Sequence, residues 1–198
     1  MQEQAGTQDL QDRLVLIENM LAEGRRSTEG WGWTFVLWGV AYYVAIVWST
    51  WSHNGLAWPV TMIATFALTA LVAVRRRRRQ PATTLGRAVA SVWIAVGISM
   101  FVLLLALALQ GLLEEQIFMG IVAAMLGTAN ATSSLILKWK MQFACTLVWW
   151  VTCVVCVAGT PQRSRITILV AIFLCQIVFG VYAMFLESRR RRREIAHA

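Results

Sequence analysis

Glu29 and Arg75 bracket GWGWTFVLWGVAYYVAIVWSTWSHNGLAWPVTMIATFALTALVAV (residues 30–74), 45 residues without one Asp, Glu, Lys or Arg. One helical bilayer crossing takes about 20 apolar residues, so the stretch is long enough for two. Ser52-His53-Asn54-Gly55 interrupts it near the middle, which predicts two helices joined by a turn. Outward from there, four more charge-free runs follow at residues 88–113, 116–137, 141–162 and 166–186. The expected spans are Trp33 to Trp51, Leu56 to Val74, Ala88 to Leu109, Ile117 to Leu137, Phe143 to Ala158 and Ile166 to Leu186. The expected fold class is all-α: a polytopic membrane helix bundle of six transmembrane helices arranged as three antiparallel hairpins, preceded by an amphipathic cytoplasmic helix.

Six spans of about twenty residues use most of the 198 residues, 58% of which are hydrophobic. The division that follows is a helix and linker over residues 1–30, a membrane domain over 31–187 and a basic tail over 188–198. A net charge of +8 would suggest a nucleic-acid partner in a soluble protein, yet the basic residues stand where the apolar runs stop. With the N-terminus in the cytoplasm, sixteen Lys and Arg face inward and only Arg163 and Arg165 face outward. Excess Lys and Arg in short cytoplasmic loops sets orientation, so both termini are expected inside. The first thirty residues mix both charge signs and lack an apolar core with a small-residue cleavage site, so no signal peptide is expected. A prokaryotic plasma (inner) membrane is the expected location.

Tryptophans fit this drawing at several helix ends. Trp31, Trp33 and Trp139 fall at the inner interface and Trp48, Trp51 and Trp58 at the outer one, where amphipathic rings sit among headgroups. Trp93, Trp149 and Trp150 fall inside spans, where bulk packed against helices or lipid is the preferred role and a lining for a hydrophobic ligand the alternative.

The residues that usually carry membrane chemistry are missing. No expected span holds an Asp, Glu, Lys, Arg or His in its interior, and such groups normally mark proton relays and ion pathways. His53 and His197 are too scattered to form a metal site. Cys153-Val-Val-Cys156 spells CxxC, but a reactive thiol needs a helix N-terminus or a polarising neighbour, and these are set among Val, Ala and Trp. The four cysteines read as small hydrophobes. No enzyme activity, cofactor or metal is therefore expected.

Intramembrane polar residues remain, and the fourth span concentrates them in Gly127-Thr128-Ala129-Asn130-Ala131-Thr132-Ser133-Ser134. Gly120, Ala124, Gly127 and Ala131 recur down one face, a pattern that lets another helix approach closely. Gln176, Gly180 and Ala183 share a face of the sixth span, and Ser91, Ala95 and Ser99 one of the third. An amide contact between Asn130 and Gln176 would glue helices together. The alternative is a polar pathway past Asn130, Thr128, Ser134 and Gln176.

Leu10, Leu14, Ile17 and Leu21 recur at helical spacing in the N-terminal segment, and Gly24 followed by Arg25 and Arg26 makes a helix end. Residues 1–30 carry six acids against three arginines, which disfavours anionic lipid. Docking on the protein's own basic face, on another copy or on a partner helix is expected instead. Arg75, Arg76, Arg77, Arg78 and Arg79, and Arg189, Arg190, Arg191, Arg192 and Arg193, form two bare runs suited to anionic headgroups, each residue gaining roughly 1 kcal/mol near such lipid. The expected function is that of an accessory, regulatory or scaffold membrane subunit, a homo-oligomer or the partner of another membrane protein. A small oligomeric transporter or channel for an uncharged or lipophilic solute is the alternative.

Overall fold

The computed structural model describes residues 13–20, 22, 24, 30–52, 56–77, 84–112 and 114–196, and among them there is helix and no strand. The helices are α1 (Gly32–Ser52), α2 (Ala57–Arg77), α3 (Thr84–Leu109), α4 (Glu115–Leu137), α5 (Lys140–Ala158), α6 (Pro161–Ile172) and α7 (Phe179–Ala196). A π-helical segment, Phe173–Val178, runs between α6 and α7 and makes one continuous span of the three. Six helical stretches are thus long and apolar enough to cross a bilayer, the make-up of a multi-pass membrane protein. In hydrocarbon every backbone N–H and C=O must be paired within its own segment, which a helix does and an irregular chain does not.

Several helices outrun the apolar runs that announce them. α3 begins at Thr84 and α5 at Lys140, and the last stretch runs from Pro161 to Ala196 through the arginines. Backbone pairing has no reason to stop at the hydrocarbon edge, and Pro161 at the helix start costs nothing because its missing N–H would be unpaired there anyway.

The tightest pairing is α4 with α5. Only Lys138 and Trp139 separate these helices. Lys138 takes the left-handed conformation (φ 49°), its N–H donates to Leu135 O, and the Trp139 N–H donates to Ser134 O at 2.9 Å. This is the Schellman closure of a helix C-terminus, made here with a lysine where glycine is usual. Around the α4–α5 pair, α6 packs on both helices, α1 packs on the π segment and α7, and α3 lies against α4. Helix α2 leans mainly on α1.

Burial is distributed very unevenly. α4 buries eleven residues, whereas the longer α3 buries only Val89. Trp139, expected among headgroups, is instead buried and packs on Phe179, with ring centroids 5.2 Å apart. The two-residue reversal tucks its ring under α7. Trp58, also expected at an interface, sits between Tyr42 and Phe118 and bridges α1, α2 and α4. Trp51 is exposed, as a headgroup anchor must be.

Candidate functional site

A close approach between two helices is built from the small residues of α4. A Cβ added at Gly127 would stand 2.5 Å from Trp150 Cδ1, and one at Gly120 would stand 2.8 Å from Val157 Cγ2. Seven residues down α4 are matched by seven up α5, so the register is a regular antiparallel one. Ala131 is buried in the same helix, while Ala124 is half-buried. Trp149 has no accessible surface, whereas Trp150 covers Gly127 and remains partly exposed.

The polar residues of α4 do not share one direction. Asn130 and Ser133 are fully buried and Ser134 nearly so, while Thr128 is exposed. Asn130 Nδ2 donates to Leu126 O of its own helix at 2.9 Å, and its Oδ1 is buried without a partner. Ser134 Oγ donates to Ala131 O and Thr128 Oγ1 to Ala124 O, again within the helix. Ser133 Oγ reaches another helix, accepting from Trp93 Nε1 of α3 at 3.1 Å.

Gln176 lies elsewhere. It belongs to the π segment and packs on α1, where a Cβ at Gly39 would stand 2.9 Å from Gln176 Cβ. The same interface continues through Gly32, whose added Cβ would meet Ala183 Cβ at 2.9 Å, and Gly180, whose added Cβ would meet Val36 Cγ2 at 2.8 Å. Among the described residues no hydrogen bond joins Asn130 to Gln176. Of the four residues, Thr128 faces outward, Asn130 and Ser134 face inward and Gln176 faces a different helix. Helical spacing predicted the individual faces but not which neighbour each one meets.

Three features gave no sequence signal. Gln142, in the first turn of α5, is fully buried with neither amide atom partnered. Gln116 Nε2 donates to Gly159 O at 2.9 Å and lies 3.4 Å from Cys156 O and Ser164 Oγ, tying the start of α4 to the α5–α6 turn. Beside it Arg165 makes a two-pronged pair with Glu115, at 2.7 and 2.6 Å. Both residues precede the apolar runs that open at Ile117 and Ile166, and hydrogen bonding from the Arg165 guanidinium holds the Glu115 carboxyl below its ordinary range. A lone Gln or Glu at a span end is common, so only its partner gives it meaning.

At the opposite end Gly24 is buried, and an added Cβ would meet Leu85 Cβ and Leu137 Cδ2, each at 3.0 Å. Residues 13–20 are helical and every one is exposed, including Leu14, Val15, Leu16 and Ile17. Leu10 and Leu21 lie outside the described residues, as do His53, His197, Arg78 and Arg79. Arg75 and Arg192 are exposed, and Arg189 stands over the Phe185 ring at 4.3 Å. Arg190 is half-buried. Arg76, Arg77, Arg191 and Arg193 occupy helical positions whose side chains are not described. No group of three or more His, Cys, Asp or Glu able to hold a metal occurs among the described residues. Comparison with protein-family models, with curated proteins and with solved structures finds no match.

Proposed function

We propose that this is a non-catalytic accessory, regulatory or scaffold subunit of a plasma (inner) membrane, with both termini cytoplasmic and its spans running as successive antiparallel crossings. The observation that carries the proposal is the fate of the intramembrane polar groups. The hydroxyls of Thr128, Thr132, Ser134 and Thr152 are spent on carbonyls of their own helices, and Asn130 and Ser133 have no accessible surface. A solute pathway needs such groups turned toward a common space. A bundle held by close contacts needs them packed away.

The surface offered to a partner is the N-terminal helix. Leu14 to Ile17 are four consecutive exposed apolar residues, which cover every side of a helical turn. Gly24 anchors the chain that follows them against the start of α3 and the end of α4. The exposure of residues 13–20 favours a second copy or a partner helix as the occupant. The arginine runs hold the helix ends at anionic headgroups.

One observation favours the transport alternative. Gln142 and Asn130 leave buried amide atoms unpartnered in the α4–α5 pair, as a polar lining closed in one state would. The two functions separate in mild detergent and in liposomes. Removal of residues 1–24 should release a co-purifying protein or lower the oligomeric mass if the scaffold account holds. Unchanged assembly, together with solute flux that Asn130→Leu abolishes, would establish the alternative.

A further inference from the structure

Two of the four cysteines, thirty positions apart in sequence, meet inside the bundle. Cys145 lies on α5 and Cys175 in the π segment, and both are buried. Cys175 Sγ stands 3.6 Å from the Cys145 carbonyl oxygen, which brings the two residues into direct contact across the segments. The CxxC pair is arranged differently. Cys156 Sγ is directed at Ser164 O, 3.8 Å away on α6, while Cys153 is only half-buried on the same helix. CxxC spelling thus draws attention to the wrong thiols. The pair that spans two segments is the one no local motif announces.

We propose that Cys145 and Cys175 form a peroxide-responsive thiol pair whose oxidation cross-links α5 to the π segment. Peroxide is small and uncharged, so it can enter an apolar interior that excludes ionic oxidants. Cys145 is the less buried residue of the pair, at 9% exposure against 1% for Cys175, and takes the first step. Its thiol is oxidised to a sulfenic acid as hydrogen peroxide is reduced to water. The Cys175 sulfur then attacks the Cys145 sulfur and forms the S–S bond. The sulfenic oxygen leaves as a second water, carrying the Cys175 thiol proton. In sum, two thiols and one peroxide give one disulfide and two waters, and no charge is left in the membrane.

The consequence is mechanical. A π segment is a short, rare departure from α-helical pairing that is frequent at functional sites. Tyr43 Oη of α1 donates to Leu169 O just before it, at 2.8 Å, and Gly39 abuts Gln176 and Ile177 within it. Oxidation ties this segment, otherwise held by α1, covalently to α5.

The test uses the full chain in lipid nanodiscs, treated with hydrogen peroxide, alkylated and digested with trypsin. Cleavage after Lys140, Arg163, Arg165 and Arg189 places Cys145 in peptide 141–163 and Cys175 in peptide 166–189. The expected product is the two peptides joined, lighter than their sum by about 2 Da for the two hydrogens lost, with fragment ions assigning the link to Cys145. Reductant should separate them. Cys153→Ala and Cys156→Ala should leave the link in place, and Cys145→Ala should abolish it. Failure of the wild-type chain to yield the joined peptides, or a link assigned to Cys153 or Cys156, would overturn the proposal; the wild-type assignment stands without any variant having to fold.

Discussion

Helices α3 and α4 are neighbours of similar length with opposite surroundings. α3 is the more hydrophobic, rich in Leu, Val and Ile, and buries one residue; α4 carries Gly, Ala, Ser, Thr and Asn and buries eleven. In water the more apolar helix would go inside. In a bilayer, lipid tails are as apolar as Leu, so apolar character does not choose the interior, and close packing of small residues does. Of these two helices, the one less suited to lipid is the one the bundle buries.

The contrast can be broken most severely at large side chains. Trp149→Ala, in α5 against α4, should cost about 3 kcal/mol in the cavity it leaves. Phe101→Ala, on the exposed flank of α3, should stay within about 0.5 kcal/mol of the parent. Unfolding followed by Trp fluorescence in a mild detergent measures both. If the two costs were equal, the two helices would not differ as described.

Glycines give the next largest effect. Gly127→Ala drives a methyl into Trp150 and should cost about 2 kcal/mol of overpacking. Gly97→Ala, with nothing within 4 Å of its added Cβ, should gain roughly 0.5 kcal/mol from helix propensity. Opposite signs at two mid-span glycines, read in the same unfolding assay, would sharpen the comparison; equal signs would dissolve it.

These pairs also mark what the sequence made legible. Charge-free length revealed six spans, because hydrocarbon thickness sets it directly. The small-residue rows containing Gly127 and Gly180 were visible as spacing, yet α5 and α1 as their neighbours were not, since a row of small residues does not say which of the other apolar helices meets it. Trp139 was misplaced because its spacing from Lys138 and Lys140 looks like an interface, whereas a left-handed Lys138 turns it inward. The contact expected between Asn130 and Gln176 joined two correctly inward residues on faces that do not meet. The Cys145 and Cys175 pair depends on the approach of α5 to the π segment, and no local pattern encodes that.

Two smaller effects remain. Lys138→Gly should stabilise the α4–α5 pair by about 1 kcal/mol, because glycine adopts the left-handed conformation without the penalty of a side chain; a loss of stability would mean that the lysine side chain matters more than its backbone. The smallest effect is electrostatic and lies outside the small-residue contact. Glu115 has a folded pKa below its unfolded one. Its pairing with Arg165 is therefore fully present above the ordinary carboxylate value of about 4.3 and is lost as pH falls through the folded value. Glu115→Gln should remove that acid-side dependence from the unfolding curve and change little at neutral pH.

Water is what finally separates a packed α4 from a pathway. Trypsin cleavage at Arg87 and Lys138 yields a peptide without native cysteine, so Asn130→Cys would be its sole thiol. Treatment of this variant in liposomes with a water-soluble methanethiosulfonate from both sides, with Arg165→Cys as the exposed control, reads access directly. Dry packing predicts an unmodified Cys at position 130 while position 165 reacts to completion; rapid modification at 130 in the folded protein would contradict it.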